Sequence, residues 1–263
     1  MKKIKNWITY GTLWVLWFFG GKELQKTMWN QKMEQLDAFI VNKQGYDFIN
    51  TSANDVYSIL ILWSKEESFV DWTIDISKSL QNIWVNKNNI RVISFDETWS
   101  ENFLNEIQKA LKEIENIAWP EDEIFITYSS HWNSNKDMWS YVQEKGGDWA
   151  YINQKDISNS LKNIKHKFTF VAGSCNSGGI WEQIANSHPN SITITSSWES
   201  ASDKWTFWTN VIEAISQVML NWDLTIKKAF NKIHDTTSAR VGLDKPHLYI
   251  GKNRSDSEQF LGK

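Results

Sequence analysis

Five short, almost wholly apolar runs recur along the chain, each separated from the next by a stretch of helical period. They are Val56–Leu62 (VYSILIL), Ile90–Phe95 (IRVISF), Ile124–Tyr128 (IFITY), Phe168–Ala172 (FTFVA) and Ile192–Thr195 (ITIT). Runs of this length, rich in β-branched and aromatic residues and nearly free of polar ones, predict strands buried on both faces. Between them, helices are expected over Ile74–Ile83, Glu101–Ile117, Asp156–Ile164, Ile180–Ser187 and Phe207–Leu220. Phe103, Leu104, Ile107, Leu111 and Ile114 mark the apolar stripe of the second, with Ser100 as its expected N-cap and Asp156 as that of the third. Met138–Ile152 alternates and contains glycine, which predicts a hairpin. Strands alternating with helices give an α/β chain whose sheet is parallel and covered on both faces. In such sheets the ligand site lies at the carboxyl ends of the strands.

The remaining bounds come from composition. A chain of 263 residues carries ample material for one substantial core. A net charge of −3 offers no electrostatic footprint for nucleic acid. A single cysteine excludes an internal disulfide and any cysteine-based zinc or iron–sulfur site. Lys2, Lys3 and Lys5 precede an uncharged stretch from Trp7 to Gly21, which predicts a signal peptide or short membrane anchor over 1–22. That expectation makes the protein extracytoplasmic, secreted or tethered. Residues 23–54 read as a spacer or pro-segment, 55–250 as the domain, and 251–263 as a C-terminal tail.

Tryptophan is out of proportion, 17 residues against 12 glycines. Several stand among turn formers: Asn221-Trp222-Asp223, Asp148-Trp149-Ala150, Ala118-Trp119-Pro120 and Thr98-Trp99-Ser100. Such corners favour a residue without a Cβ, and glycine supplies it. The expectation is that many of these positions are UGA codons which the source lineage reads as glycine. Intact mass of the native protein tests this directly, because every such position lowers it by the same step.

Two expected strand ends carry chemistry. The third strand runs into Ser129-Ser130-His131-Trp132-Asn133, the fourth into Gly173-Ser174-Cys175-Asn176-Ser177-Gly178-Gly179. Adjacent parallel strands would bring His131 and the single cysteine to one rim. A thiolate is a nucleophile, and an imidazole beside it supplies and withdraws protons. Gly178 and Gly179, ahead of a helix, free backbone N–H groups for a developing oxyanion. The competing reading is a small buried cysteine and an unrelated histidine. His166, His188, His234 and His247 show no metal-ligand spacing and read as surface or loop residues. No glycine-rich nucleotide fingerprint is present, so neither a cofactor nor a metal is expected.

SSHWN resembles the S-x-H-G segment, and GSCNSGG the x-C-x-S-G segment, of the caspase-like cysteine peptidases, which include caspases, metacaspases and legumains. The pattern leans to the legumain (haemoglobinase) branch. LILWS (60–64), KDISNSL (155–161), TSSWES (195–200), WTFWTN (205–210) and KPHLY (245–249) follow the family's order, so the resemblance spans about residues 55–250. It implies a three-layer caspase–haemoglobinase-like fold, mostly parallel, and a cysteine endopeptidase working through a thioester on a peptide or protein substrate. Cys175 would attack and His131 would move the protons. The oxyanion hole would come from the N–H groups of Cys175 and Trp132, the latter a glycine in the family. Trp63, Trp198 and Trp205 also fall where small residues fit. Ser196, Ser197, Glu199 and Asp203 lie in the stretch that lines the specificity pocket. Gly173 stands where metacaspases place an Asp for basic P1 side chains, and no arginine cluster matches the caspase P1 Asp site. The same dyad would serve a transpeptidase or ligase, and a non-catalytic caspase-like binding module is the alternative from another class.

Overall fold

The computed structural model describes residues 25–37, 48–51, 54–62, 67–130, 139–143, 149–174, 177–197, 204–218, 224–237 and 245–261. The apolar runs form strands: β1 is Val56–Leu62, β2 Ile90–Ser94, β3 Glu123–Ser129, β6 Lys167–Gly173 and β7 Ser191–Thr195, with β4 (Trp139–Gln143) and β5 (Trp149–Asn153) between. A six-stranded sheet runs β2-β1-β3-β6-β7-β8, where β8 is His247–Ile250. The pairs β1/β2, β1/β3, β3/β6 and β6/β7 are parallel. Only β8 runs against its neighbour, with Thr195 opposite His247. The sequence marks 245–249 as a terminal segment without assigning it to the sheet; its place on the edge is decided by pairing with β7. The expected hairpin is present as the antiparallel pair β4/β5.

The two-residue period of the strands sorts the core into two layers. Val56, Leu60, Leu62, Val92, Phe125, Val171, Ile192 and Ile194 face α2 (Glu67–Asn82), α6 (Lys204–Val218) and α7 (Ile226–Thr237). Tyr57, Ile59, Ile61, Ile93, Ile124, Ile126, Tyr128, Phe168 and Phe170 face α3 (Phe95–Ile117), α4 (Gln154–Leu161) and α5 (Gly178–Ser187). Each large apolar side chain so buried contributes about 1.5–3 kcal/mol, and the central strands bury both faces throughout.

Helix starts differ from expectation. α3 begins at Phe95 directly after β2, with Ser94 at the N-cap position and no side-chain cap bond, so Ser100 lies inside the helix. Asp156 likewise lies in the first turn of α4, not at its cap. α2 begins at Glu67, well before Ile74, because Phe69, Val70 and Trp72 extend its buried face.

Flanking segments join the domain. Residues 25–37 form the first helix, α1, in which Leu36 is fully buried and Lys32 pairs with Glu67 (3.2 Å) and Asp71 (2.8 Å). Phe48 is buried beneath the Arg91 guanidinium, 3.9 Å from its ring centre. At the other end Arg254, Phe260 and Leu261 are buried. His188 is a correction to the sequence reading: it is only 2% exposed, closes α5, sets its ring edge against Phe168 (5.5 Å) and places Nε2 3.4 Å from the Ser158 carbonyl.

The tryptophans divide. Trp99 lies within α3 and Trp149 at the start of β5, so neither backbone needs glycine, contrary to the turn reading. Trp119 does sit in a turn and is half exposed, without a positive φ. Trp72 and Trp208 are core residues with rings 6.2 Å apart. Among the described tryptophans Trp84 alone has a left-handed backbone, φ 68°, with its side chain 63% exposed. The Trp84 N–H donates to Gln81 O and the Val85 N–H to Leu80 O, both at 3.0 Å. That is the Schellman closure of α2, whose left-handed position is usually glycine. Trp222, Trp132, Trp63 and Trp198 lie outside the described residues.

Candidate active site

The carboxyl ends of β1, β3 and β6 finish level, since Leu62 pairs with Ser129 and Ser129 with Gly173. Neighbouring strands stand about 4.8 Å apart. His131 follows Ser129 by two residues and Cys175 follows Gly173, its register partner, by two. His131, Trp132, Cys175, Glu199 and Asp203 themselves lie outside the described residues, so their side chains are not placed. Ser196 and Ser197 are.

What is described at this rim is a collar of hydroxyls. Ser129, Ser130, Ser174, Ser177, Ser196 and Ser197 are all buried. The Ser129, Ser130 and Ser174 hydroxyls find no hydrogen-bond partner among the described residues. Such hydroxyls are a neutral lining.

Ser177 was not singled out by the sequence. It occupies the N-cap position of α5 but makes no cap bond. Its Oγ instead accepts from the Ser197 N–H (3.3 Å), donates to the Ser197 carbonyl (3.3 Å) and lies 3.4 Å from Ser196 Oγ. Ser196 Oγ donates to the Ser174 carbonyl at 2.8 Å, and Ser197 Oγ to the same oxygen at 3.3 Å. Ser196 and Ser197, expected on the substrate pocket, therefore turn their hydroxyls onto the loop after β6. The signal in sequence was only a cluster of small residues in GSCNSGG and TSS.

Gly173 is fixed by its neighbour: a Cβ there would overlap the Trp208 indole. No carboxylate fits at that position while the indole fills it.

A set of buried charged groups sits at the opposite end of the sheet. Asp122 accepts from the N–H groups of Asp55 (2.8 Å) and Trp119 (2.7 Å), and burial pushes its carboxyl up against their pull. Burial, with Asp122 and Asp55 nearby, pushes the Tyr57 phenol up as well. Arg254 reaches Glu123 (3.3 Å) and Glu258 (2.9 Å) there. Among the described residues no cluster of three or more His, Cys, Asp or Glu is arranged to hold a metal ion.

No protein-family model matches the chain, and no curated protein matches it. Solved structures do. The Drosophila initiator caspase Dronc superposes with a TM-score of 0.52 at 8% identity, over 82% of this chain and 88% of that one. Caspase-1 from Spodoptera frugiperda gives 0.49 at 10% identity, over 80% and 92%. A secreted C11 cysteine protease from Bacteroides thetaiotaomicron, in complex with an irreversible peptide inhibitor, gives 0.40 at 11%, over 62% and 54%. The likeness to Dronc establishes a caspase-like fold, the three-layer arrangement that the motifs implied.

Proposed function

We propose that this caspase-fold chain is a cysteine endopeptidase in which Cys175 and His131 form the catalytic dyad. The observation that carries the reading is the register of β3 on β6, which starts the histidine and cysteine segments from paired residues on neighbouring strands. In the reaction, the Cys175 thiolate adds to a peptide carbonyl. The oxyanion is held by the N–H groups of Cys175 and residue 132, an interaction whose loss costs on the order of 100- to 1,000-fold in rate. His131 protonates the departing amine and leaves a thioester. It then takes a proton from water, and the hydroxide so formed adds to the thioester, releases the acid and regenerates the thiolate beside a protonated His131.

Specificity in this reading is legumain-like, with Glu199 and Asp203 lining the pocket for the P1 side chain. Gly173 supports the exclusion of a metacaspase-type acid pocket, because Trp208 leaves it no room for a side chain. The basic and then apolar residues of 1–22 support export or tethering. Among the described residues no helix is long and apolar enough to cross a membrane.

The test is labelling by a peptidyl acyloxymethyl-ketone or vinyl-sulfone probe, followed by cleavage of a peptide library. Labelling that disappears in Cys175→Ala and in His131→Ala, with cleavage of the library, is the expected result. An added amine nucleophile separates hydrolysis from transpeptidation by its products. A folded protein that neither labels nor cleaves after any proteolytic or pH activation overturns the enzyme reading in favour of a binding module.

A further inference from the structure

We propose that Ser196 and Ser177 are positioning residues for Cys175: they tie the loop carrying the thiol to the end of β7 at both sides of the cysteine. The catalytic part of this inference rests on the peptidase reading; the clamp itself does not.

Ser174 and Ser177 bracket the dipeptide Cys175-Asn176. On the upstream side the Ser174 carbonyl is held by two hydroxyls from β7's end, Ser196 Oγ at 2.8 Å and Ser197 Oγ at 3.3 Å. On the downstream side the Ser177 hydroxyl is held by the Ser197 N–H and carbonyl, each 3.3 Å away. Ser196 is itself anchored by its N–H on the Ala172 carbonyl, 2.9 Å, which extends the β6/β7 ladder. All four serines are buried, so water does not compete for these bonds. A serine at the N-cap position ordinarily satisfies its own helix. Ser177 bonds to another strand instead, which marks the contact as tertiary.

Reaction rates of a fixed nucleophile are steep in position, and a misplacement of about 1 Å costs roughly 100-fold. Loosening either end should lower turnover while leaving substrate affinity largely intact. Because Cys175 is the chain's only cysteine, alkylation by iodoacetamide reports its setting without any substrate.

The experiment compares Ser196→Ala, Ser177→Ala and a control, Ser191→Ala. Ser191 is a buried serine at the far end of β7, donating to the His188 carbonyl at 2.7 Å. At a temperature where circular dichroism shows every variant folded, Ser196→Ala and Ser177→Ala are expected to lose about 10- to 100-fold in kcat with KM within about threefold. Their alkylation rate at Cys175 should shift several-fold, while Ser191→Ala matches the wild type in both. Ser197→Ala, which removes one hydroxyl from the same carbonyl, substitutes for Ser196→Ala should that variant not fold. Wild-type alkylation and turnover in the clamp variants overturn the proposal, as does an equal change in the control. A wild type that cleaves nothing, beside clamp variants with altered alkylation, upholds the clamp and removes the peptidase reading.

Discussion

The indole of Trp208 occupies the volume that any side chain at Gly173 would need. α6 thereby seals the carboxyl end of β6 one residue before the serine that leads into Cys175. Gly173→Ala forces the indole or the strand to move, and overpacking of this kind costs about 1–3 kcal/mol. Urea unfolding should show that loss with an unchanged slope. In a Trp208→Leu background, itself destabilised by the lost burial, the further cost of Gly173→Ala should shrink towards zero. Equal costs in both backgrounds would show that the two positions are not coupled.

Trp84 keeps a left-handed backbone with a largely exposed ring. For a residue with a Cβ that conformation costs about 1–2 kcal/mol. Trp84→Gly should therefore raise the unfolding free energy by about 1 kcal/mol, whereas Trp84→Ala, which retains the Cβ, should gain little. Thermal unfolding of the pair decides it. Stabilisation in the glycine variant alone is what a glycine-decoded position would show.

Arg254 is a buried cation whose guanidinium serves Glu123, Glu258 and the carbonyls of Asn190 (3.1 Å) and Phe168 (3.4 Å). Replacing it by methionine strips the guanidinium from the Glu123 carboxyl, which also accepts from Thr169 Oγ1 at 2.6 Å. Breaking a buried pair from one side costs about 3–5 kcal/mol, and adding Glu123→Gln should restore part of that. Denaturant midpoints of the single and double variants check both statements. Burial opposes ionisation of Glu258, yet the Ser255 N–H, Arg254 and Lys167 outweigh it and hold its carboxyl low. The stability it contributes is present above the ordinary glutamate value and is lost as pH falls through the lower folded value. Glu258→Gln should flatten the acid limb of the unfolding curve.

Burial drives the His188 ring below its ordinary value, aided by Lys162 and opposed by the bond to the Ser158 carbonyl. The folded ring is neutral while the unfolded one titrates near 6.5. Stability from this group is thus complete above about pH 7 and declines as pH falls through that value towards the folded one. His188→Gln should remove that part of the slope between about pH 7 and pH 5. Identical slopes in the two proteins would show that His188 carries none of it.

Much of the architecture was legible because strand burial is written directly as apolar runs. VYSILIL, IFITY and FTFVA each became a strand within a residue or two of the expected bounds, since a stretch without polar side chains has nowhere else to go. Helix starts were less legible. Ser100 has the right chemistry for a cap, but the short turn from β2 into α3 starts the helix at Phe95. His188 was misread because burial depends on Phe168 and the α4 carbonyl of Ser158, neither near it in the chain.

The sheet-forming runs, the order of strands and helices, and a histidine and the single cysteine just beyond two strand ends can all be read along the chain. Those are local properties, set by the period and polarity of neighbouring residues. Packing settled that β3 and β6 pair in register, that Trp208 closes over Gly173, and that Ser177 meets both Ser196 and Ser197. Contacts between residues nineteen or more positions apart depend on how elements pack, and no pattern along one strand encodes which hydroxyl will meet which carbonyl.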